Sequence, residues 1–379
     1  MNFYQSTLAF AGVIQSFRNS MDWEVIKIAY VPYHKSFAVP GDRRRFVFYA
    51  NERKIKFHIA DLATEYDLVY LTYGCNLSDW FEYKKKYPKV KFIFELIDSY
   101  LLEDVGTLTI FRGIVWYFLG RESALWLNYK TALRKMISIC DAVVCSTHVQ
   151  RANMIGFNRN IHISLDYFSN EITHHKTSFK SNKKMKVVWE GQAYTVKNLL
   201  ILKDILEQLR DKIELYIITD PVAKSPIKFF NKKTKNILNV LKCDYHLIDW
   251  NKNSFSEIIS SADLAIIPIE RDSSMMWNKP ENKLLLLWEI GVPTLTSDTP
   301  AYKRVMRDAG LDFYCASPAE WLQKINIYIE SSIEYRVDVA EKAMKYLDTH
   351  HKKLDILNTW DRIFDSLHCE RICEKSCAR

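Results

Sequence analysis

A polar loop followed by an apolar helix pattern holds the residues of this chain best suited to chemistry. Residues 276–305 read MWNKPENKLLLLWEIGVPTLTSDTPAYKRV, and the apolar spacing predicts a helix over Glu281–Ile290. The first-turn amides of a helix have no intrahelical acceptor, and the helix dipole attracts an anion there. The polar residues at this point are Asn278, Lys279, Pro280, Asn282 and Lys283. The stretch can therefore bind a diphosphate without a glycine-rich loop.

Two carboxylates belong to the same stretch. Glu281 and Glu289 are eight positions apart, which places them on roughly the same face of a helix. A carboxylate can accept two hydrogen bonds from vicinal hydroxyls, as on a ribose. Taken singly, Glu281 also fits a helix-terminal charge and Glu289 a solvated surface residue. The ordered set Pro-Glu-x-Lys, then Glu, then Gly291 with Pro293 before an apolar strand is much less expected by chance.

Composition excludes several function classes. The chain has 379 residues, which indicates two domains, but only 10 glycines. No two glycines form Gly-x-Gly, so the dinucleotide fingerprint and the kinase-type glycine loop are absent, as is the P-loop pattern. There is no Asp-x-Asp to hold a metal–diphosphate, and no H-E-x-x-H, C-x-x-C or G-x-S-x-G. We therefore expect neither a bound metal nor a separate cofactor.

Net charge and cysteines leave alternatives open. The charge of +8 favours an anionic partner such as a diphosphate, anionic lipid or nucleic acid, but solvated helix faces explain most basic clusters equally well. No nucleic-acid-binding module is recognisable, and we expect no such partner. Cys369, Cys373 and Cys377 share one face of a helix, which fits either a metal or redox site or a terminal helix with incidental thiols. Residues 1–17 lack a basic start and predict a helix rather than a signal peptide.

Strand and helix patterns alternate along the whole chain. Near-continuous apolar strands separated by amphipathic helices predict parallel sheets covered on both faces, in two successive sets. Residues 174–186, HHKTSFKSNKKMK, are polar without periodicity and predict a linker. We therefore predict Rossmann-like domains at 1–180 and 181–345, facing a cleft, and a helical tail at 346–379. Ligands of such sheets bind outside the carboxyl ends of the strands.

At this point the chain resembles a known family. It is similar to retaining glycosyltransferases of the GT-B fold, the large group that includes sucrose and glycogen synthases and many bacterial cell-surface enzymes. Glu281 and Glu289 match the family's E-x7-E motif, and Gly-x-Pro and a strand follow. Residues 186–198, KVVWEGQAYTVKN, resemble the opening of the nucleotide-binding domain, with Gly191 at the turn and Lys197 at the phosphate-binding lysine.

The first half resembles the family in order rather than in motif. Residues 90–100, VKFIFELIDSY, are similar to a strand whose end contributes an acidic or histidine residue near the sugar, here Asp98. Gly41 stands alone where the family has adjacent glycines on the acceptor side, and Gln192 replaces the usual arginine after Gly191. Arg43 either supplies the missing positive charge or is a surface residue at the start of a helix.

The resemblance implies a reaction and roles. A sugar would pass from a nucleotide sugar, UDP- or GDP-linked, to an acceptor hydroxyl with retention and without a metal. Glu281 would contact the donor sugar and Glu289 the ribose, while Lys197 and Lys283 would meet the charge of the leaving diphosphate. Asp220 and Trp250 follow their strands where base and ribose would lie, although a turn residue and a packed tryptophan fit equally well. Pro280 and Asn282 complete the donor-binding set.

Other functions share this fold. A GT-B nucleotide-sugar epimerase uses the same donor differently, and a catalytically silent subunit would bind a partner instead. The acceptor is expected to be a carbohydrate or a lipid-linked sugar in bacterial surface polysaccharide or glycolipid synthesis. We expect a cytoplasmic protein. Residues 108–119, LTIFRGIVWYFL, and Trp126 with its neighbours fit either an interfacial helix at the inner membrane face or a core helix pair.

Overall fold

The computed structural model describes residues 26–37, 39–102, 112–181, 183–223 and 231–367. Residues 1–17 and the three C-terminal cysteines, for which we made predictions, lie outside these ranges. The strands, numbered β1 to β14 in chain order, are Ile28–Val31, His58–Ile59, Leu68–Thr72, Lys91–Leu96, Ala142–Cys145, Ile161–Ile163, Met185–Glu190, Ile213–Thr219, Val222–Ala223, Lys232–Lys233, Tyr245–Asp249, Leu264–Ile267, Thr294–Ser297 and Tyr314–Cys315.

The α-helices lie between the strands and after the last one. They are Pro40–Arg44, Phe46–Arg53, Leu77–Lys86, Arg112–Phe118, Tyr129–Ile139, His148–Met154, Lys203–Gln208, Thr234–Leu238, Phe255–Ser260, Ser274–Trp277, Asn282–Glu289, Pro300–Asp308, Pro318–Glu330, Ile333–His350 and Lys353–Asp365. Short 3-10 helices span Tyr100–Leu102 and Ser169–Glu171, and a longer one spans Ala193–Leu202.

The strands form two parallel six-stranded sheets. Their orders are β2-β1-β3-β4-β5-β6 and β11-β8-β7-β12-β13-β14, and every pairing within them is parallel. Parallel strands buried on both faces carry apolar side chains at most positions, which is why the short apolar runs were recognisable. The two predicted Rossmann-like sheets are confirmed. The small antiparallel pair β9–β10 was not predicted.

Three hydrophobic cores hold these layers. One fills the second domain, and the other two lie on opposite faces of the first sheet. The C-terminal helices divide between them: Tyr346 of Ile333–His350 is buried in the second domain, whereas Trp360 of Lys353–Asp365 is fully buried in the first. The tail therefore crosses back to the first domain. It was predicted as continuous helix, but it breaks at His351, which is buried and hydrogen-bonded to the carbonyl of Asp166.

Two other helix predictions need correction. The sequence pattern predicts one helix over residues 44–53. Residues 40–53 instead form two, because Pro40 begins a helix earlier and Arg45 leaves helical geometry at φ −126° and ψ −116°. The Arg45 side chain lies in the core against Glu95. The pattern also predicts a helix over residues 197–209. The turn after Gly191 is instead a 3-10 helix from Ala193, and Lys197 lies in its middle.

Candidate functional site

The carboxyl edge of the second sheet contains a topological switch point. Strand β7 has β8 on one side and β12 on the other, so the connections that leave these strands run in opposite directions. Such a point opens a crevice at the strand ends, where ligands of doubly wound sheets bind. Glu190 ends β7 at this edge, and Gly191 begins the turn that follows. Most of the predicted donor residues gather around this crevice; the three exceptions, Glu289, Asp220 and Trp250, are described below.

The helix Asn282–Glu289 begins at the same crevice. Glu281 occupies its N-cap position but makes no side-chain cap; its carboxylate is buried and forms an ion pair with Arg304. Pro280 is buried beside it. Asn282, the first helical residue, accepts a hydrogen bond from the main-chain N–H of Asp166 at 3.2 Å. The helix start is thus tied both to the next helix of its own domain and to the segment that leaves the first domain.

Lys283 lies directly under the end of β7. Its Nζ donates to the carbonyl of Glu190 at 2.5 Å, lies 3.9 Å from the Glu190 carboxylate and sits 5.2 Å from the Trp189 ring. A Cβ added at Gly191 would come within 2.6 Å of this Nζ, so only glycine leaves room for the ammonium group. Burial lowers the pKa of Lys283, and the carboxylate of Glu190 partly opposes that shift.

Lys279 joins the two domains across the crevice. Its Nζ lies 3.7 Å from Oδ2 of Asp98, which follows β4 of the first domain, and donates to the Tyr194 hydroxyl at 3.3 Å. Beside it, the Ser99 hydroxyl donates to the carbonyl of Asn278 at 3.1 Å. Burial lowers the pKa of Lys279, but Asp98 and Tyr194 together raise it above its ordinary value. The predicted sugar-side acid Asp98 therefore does face the donor loop.

Lys197 lies at the rim of the crevice. Its side chain is 61% exposed and its Nζ is 3.8 Å from a carboxylate oxygen of Glu270, which follows β12. The long side chain is accessible from solvent beside the switch point. Its contact with a phosphate stays a prediction.

Glu289 is not brought together with Glu281. The helix runs back from the crevice, and at about 1.5 Å per residue its last residue lies about 12 Å from the N-cap. Glu289 ends the helix at the edge where β13 starts, and its carbonyl accepts from His175 Nδ1 at 2.9 Å. The main-chain N–H of Lys176 binds the next carbonyl, that of Ile290, at the same edge. The predicted ribose contact of Glu289 stays a prediction that this placement does not favour.

The two remaining donor-side predictions lie on the far side of β8. Asp220 follows β8 with an exposed side chain, and its carbonyl accepts from the Thr234 hydroxyl at 2.6 Å. Trp250 follows β11, and its ring stacks on Phe255 at 5.7 Å. Both therefore show the structural features of a turn residue and a packed tryptophan, and their contacts with base or ribose stay predictions.

The acceptor-side loop is held by a carboxylate rather than by glycines. Asp42 accepts from the Tyr30 hydroxyl and from the main-chain N–H groups of Tyr33 and His34 at 2.7, 2.7 and 3.0 Å. Gly41 packs so closely that an added Cβ would lie 2.7 Å from Ile97. These contacts fix the loop between β1 and the helix Pro40–Arg44 at the carboxyl edge of the first sheet.

The arginine cluster at 43–45 is not a basic surface. Arg43 and Arg44 both form ion pairs with Glu171 at 2.7 Å, and they hold the pKa of that carboxyl below its usual range against the opposing effect of burial. Arg45 is fully buried between Glu95 and Asp166. Arg43 is therefore neither a free positive charge at the cleft nor a simple surface residue. It helps to hold the segment that leaves the first domain.

Several of the crevice residues were not predicted as functional from the sequence. Glu190, Tyr194 and Tyr302 lack a motif, and only the meeting of separate loops brings them together. Tyr302 is buried in the first turn of Pro300–Asp308. Burial raises its pKa well above the usual range, Lys279 opposes that shift, and Glu281 adds to it. Strand-end position was the one available signal for Glu190.

Neither a metal-binding cluster nor a membrane-spanning helix occurs within the described residues. They contain no group of three or more His, Cys, Asp or Glu side chains arranged to hold a metal ion. None of the helices within these residues is long and apolar enough to cross a bilayer.

Solved structures with this architecture establish the fold. Anabaena HepE, solved in complex with UDP and glucose, superposes with a TM-score of 0.62 at 11% identity, over 90% of this chain and 100% of that one. The chain has the GT-B fold. WaaG, described as a glycosyltransferase involved in lipopolysaccharide biosynthesis, gives a TM-score of 0.53 at 15% identity over 86% of this chain and 96% of that one.

Sequence similarity is otherwise low. Staphylococcus aureus TarM gives a TM-score of 0.53 at 12% identity, covering 78% of this chain, and the chain spans 54% of TarM's length. No protein-family profile matches the chain, and no curated protein is similar to it in sequence. What these superpositions establish is the GT-B architecture: two Rossmann-like domains and a C-terminal helix that returns to the first.

Proposed function

We propose that this protein is a retaining glycosyltransferase. It moves a sugar from UDP- or GDP-sugar to a hydroxyl of a carbohydrate or lipid-linked acceptor, in bacterial surface polysaccharide or glycolipid synthesis. The observation that carries the proposal is the convergence of a helix N-terminus with Lys279 and Lys283 at the crevice between two Rossmann-like sheets. HepE structures of the same fold hold UDP, glucose or UDP-glucose.

The charges suit departure of a nucleoside diphosphate. As the glycosidic bond breaks, negative charge grows on the diphosphate, and preorganised cations and amides stabilise it. The amides of the first turn of Asn282–Glu289 and the lysines at its start are positioned for this role. The proposed reaction takes the nucleotide sugar as substrate and uses neither a metal nor a cofactor.

Glu281 has the position proposed for contact with the donor sugar. It is 4% exposed and lies at the N-cap, where its charge is balanced by Arg304. A carboxylate accepts hydrogen bonds through two oxygens, and the ion pair with Arg304 uses one of them, Oε1. Glu281 would thus orient sugar hydroxyls beside the departing phosphate.

The proposal is tested first by donor binding. UDP-glucose, UDP-N-acetylglucosamine and GDP-mannose are compared for their effect on the melting temperature, since a ligand at 100 times its Kd stabilises the native state by about 2.7 kcal/mol. At least one is expected to raise it. Product analysis with an acceptor follows. Conversion of the donor sugar without acceptor indicates an epimerase, and binding without any turnover indicates a silent subunit. The anomeric configuration of the product, read by NMR, decides retention.

The helix offers a matched pair of variants. Glu281→Gln is expected to lower turnover at least tenfold, because the sugar-orienting charge at the crevice is lost. Glu289→Gln removes the same charge from the opposite end of the same helix and is expected to keep near-wild-type turnover. The reverse result would restore the sequence-based assignment of Glu289 and overturn the role of Glu281.

We also propose that the acceptor is reached at a membrane surface. Around the helix Arg112–Phe118, Trp116 and Trp126 turn into the core, whereas Phe118 and Leu127 are 80% and 70% exposed. Gly113 lies against Trp126, so the two exposed segments are neighbours. Tyr117, Leu119 and Leu125 extend the same exposed apolar surface.

This apolar surface adjoins the cleft and is accompanied by basic residues. Arg112 donates to the Tyr73 hydroxyl at 2.9 Å, and the Tyr73 ring stacks on Tyr100, two residues after Asp98. Between residues 112 and 135 the one acidic residue, Glu122, is buried, whereas five residues are basic.

Vesicles with anionic lipid are expected to sediment the protein, and those of neutral lipid much less. Phe118→Ser with Leu127→Ser is expected to abolish sedimentation, and Val240→Ser, exposed in the second domain, is the control. Equal binding by all three proteins would refute this surface.

A further inference from the structure

We propose that Lys279 is the cation that binds the donor diphosphate, and that Asp98 holds its place when no donor is bound. The inference rests on the proposed function and adds to it the partner that holds Lys279 when the site has no donor. The proposal rests on an ion pair between the domains: Lys279 belongs to the donor-side loop, and its carboxylate partner, Asp98, belongs to the first domain.

Two neighbouring cations, Lys283 and Arg304, already have partners within the second domain. Lys283 donates to the main-chain carbonyl of Glu190, and Arg304 pairs with the buried Glu281. Lys197 extends into solvent at the rim. Of these side chains, Lys279 is the one whose ion pair spans the cleft.

The pair Lys279–Asp98 has the geometry of an exchangeable contact. At 3.7 Å between Nζ and Oδ2, it is an ion pair too long for a hydrogen bond. The ammonium group also contacts Tyr194 of its own domain, at 3.3 Å to the hydroxyl and 5.4 Å to the ring centroid. Tyr194 thus keeps Lys279 at the crevice whether or not Asp98 is its partner.

The helix N-terminus fixes where the competing anion would lie. Lys279 precedes the helix Asn282–Glu289 by three residues, so the loop that carries its ammonium group leads directly into the first-turn amides. One anion is proposed to accept from both. A diphosphate carries more negative charge than one carboxylate and accepts from both groups at once. Donor binding is therefore expected to displace Asp98 from Lys279. The freed carboxylate then faces the acceptor side of the cleft.

This arrangement predicts effects of opposite sign at the two residues. Lys279→Met is expected to weaken UDP binding by about tenfold to a hundredfold, the range of one charge-assisted hydrogen bond. Lys279→Arg is expected to keep most of the affinity. Asp98→Asn is expected to strengthen UDP binding by roughly threefold, because a competitor for Lys279 is removed. In the Lys279→Met background, Asp98→Asn is expected to have no effect.

The experiment is isothermal titration of each variant with UDP, with GDP as the second probe and UMP as the comparison. Since UMP has no second phosphate, Lys279→Met should lower the ratio of UDP to UMP affinity. Lys342→Met and Asp338→Asn are the matched controls, because that pair joins neighbouring turns of Ile333–His350. Both controls are expected to bind UDP as the wild type does.

Each outcome decides the question. Equal UDP affinity in the wild type and Lys279→Met overturns this inference and leaves the proposed function standing. An effect of Asp98→Asn that persists in the Lys279→Met background also overturns it, because the two residues then act independently. A wild-type protein that binds neither UDP nor GDP overturns the proposed function and this inference together. Should Lys279→Met fail to fold, judged by its melting temperature, the sign of the Asp98→Asn effect still decides.

Discussion

The ion pair of Arg45 and Glu95 provides a direct test of how the first domain is held together. Arg45 is fully buried, its Nε lies 2.5 Å from Glu95, and its Nη1 lies 3.1 Å from Asp166 and 2.9 Å from the carbonyl of Ser164. Glu95→Gln keeps the shape of the side chain but removes its charge. Arg45 then retains its charge in a site shielded from solvent.

The expected cost follows from burial. Removing one partner of a buried ion pair costs about 3–5 kcal/mol, because the remaining charge is uncompensated. Asp166 and the Ser164 carbonyl still accept from Arg45, so we expect a loss of about 2–4 kcal/mol. Asp361→Asn is the control in the same domain. Arg53 and Asp361 pair at 2.6 Å but are 24% and 25% exposed, so that loss should be about 1 kcal/mol or less.

The assay is urea unfolding followed by circular dichroism, with amide hydrogen exchange to assign the change to the first sheet, since two domains need not unfold together. The double variant Arg45→Met, Glu95→Gln should lose less than the sum of the single variants. A Glu95→Gln variant that loses no more stability than Asp361→Asn would show that this buried charge is well compensated without Glu95. The reasoning from burial would then be refuted.

Two further predictions concern the second domain and the join between domains. Gly191→Ala should displace the Lys283 ammonium group, which an added Cβ would approach to 2.6 Å, and weaken UDP binding several-fold with little change in melting temperature; unchanged binding would contradict the crowding. Burial lowers the pKa of His351, although its bond to the Asp166 carbonyl opposes the shift, so the neutral form is favoured in the native state. Its stabilising contribution is therefore complete above the unfolded pKa of about 6.5 and is lost as the pH falls through that value towards the lower folded pKa. His351→Gln should flatten the fall in melting temperature between pH 7 and pH 5, and an identical pH profile would disprove the effect.

The sequence by itself determined the architecture, because the signal is local. A strand of a parallel sheet is buried on both faces, so runs such as Leu68–Leu71 and Leu264–Ile267 are apolar and can be recognised without their partners. Proline at the start of Pro300–Asp308 and glycine after Asn282–Glu289 mark helix ends in the same local way. The start of the donor-side helix could be placed for this reason.

Tertiary structure alone decided which side chains meet. Eight positions put Glu281 and Glu289 on one helix face, but the direction of the helix relative to the sheet leaves them at opposite edges. In sequence, the arginines at 43–45 look like a basic surface cluster. Only the folded chain brings Glu171 to Arg43 and Arg44, and Glu95 of β4 to Arg45. Lys279 gained its partner from the other domain. Contacts between segments far apart in the chain depend on how the layers pack, and no local pattern records that packing.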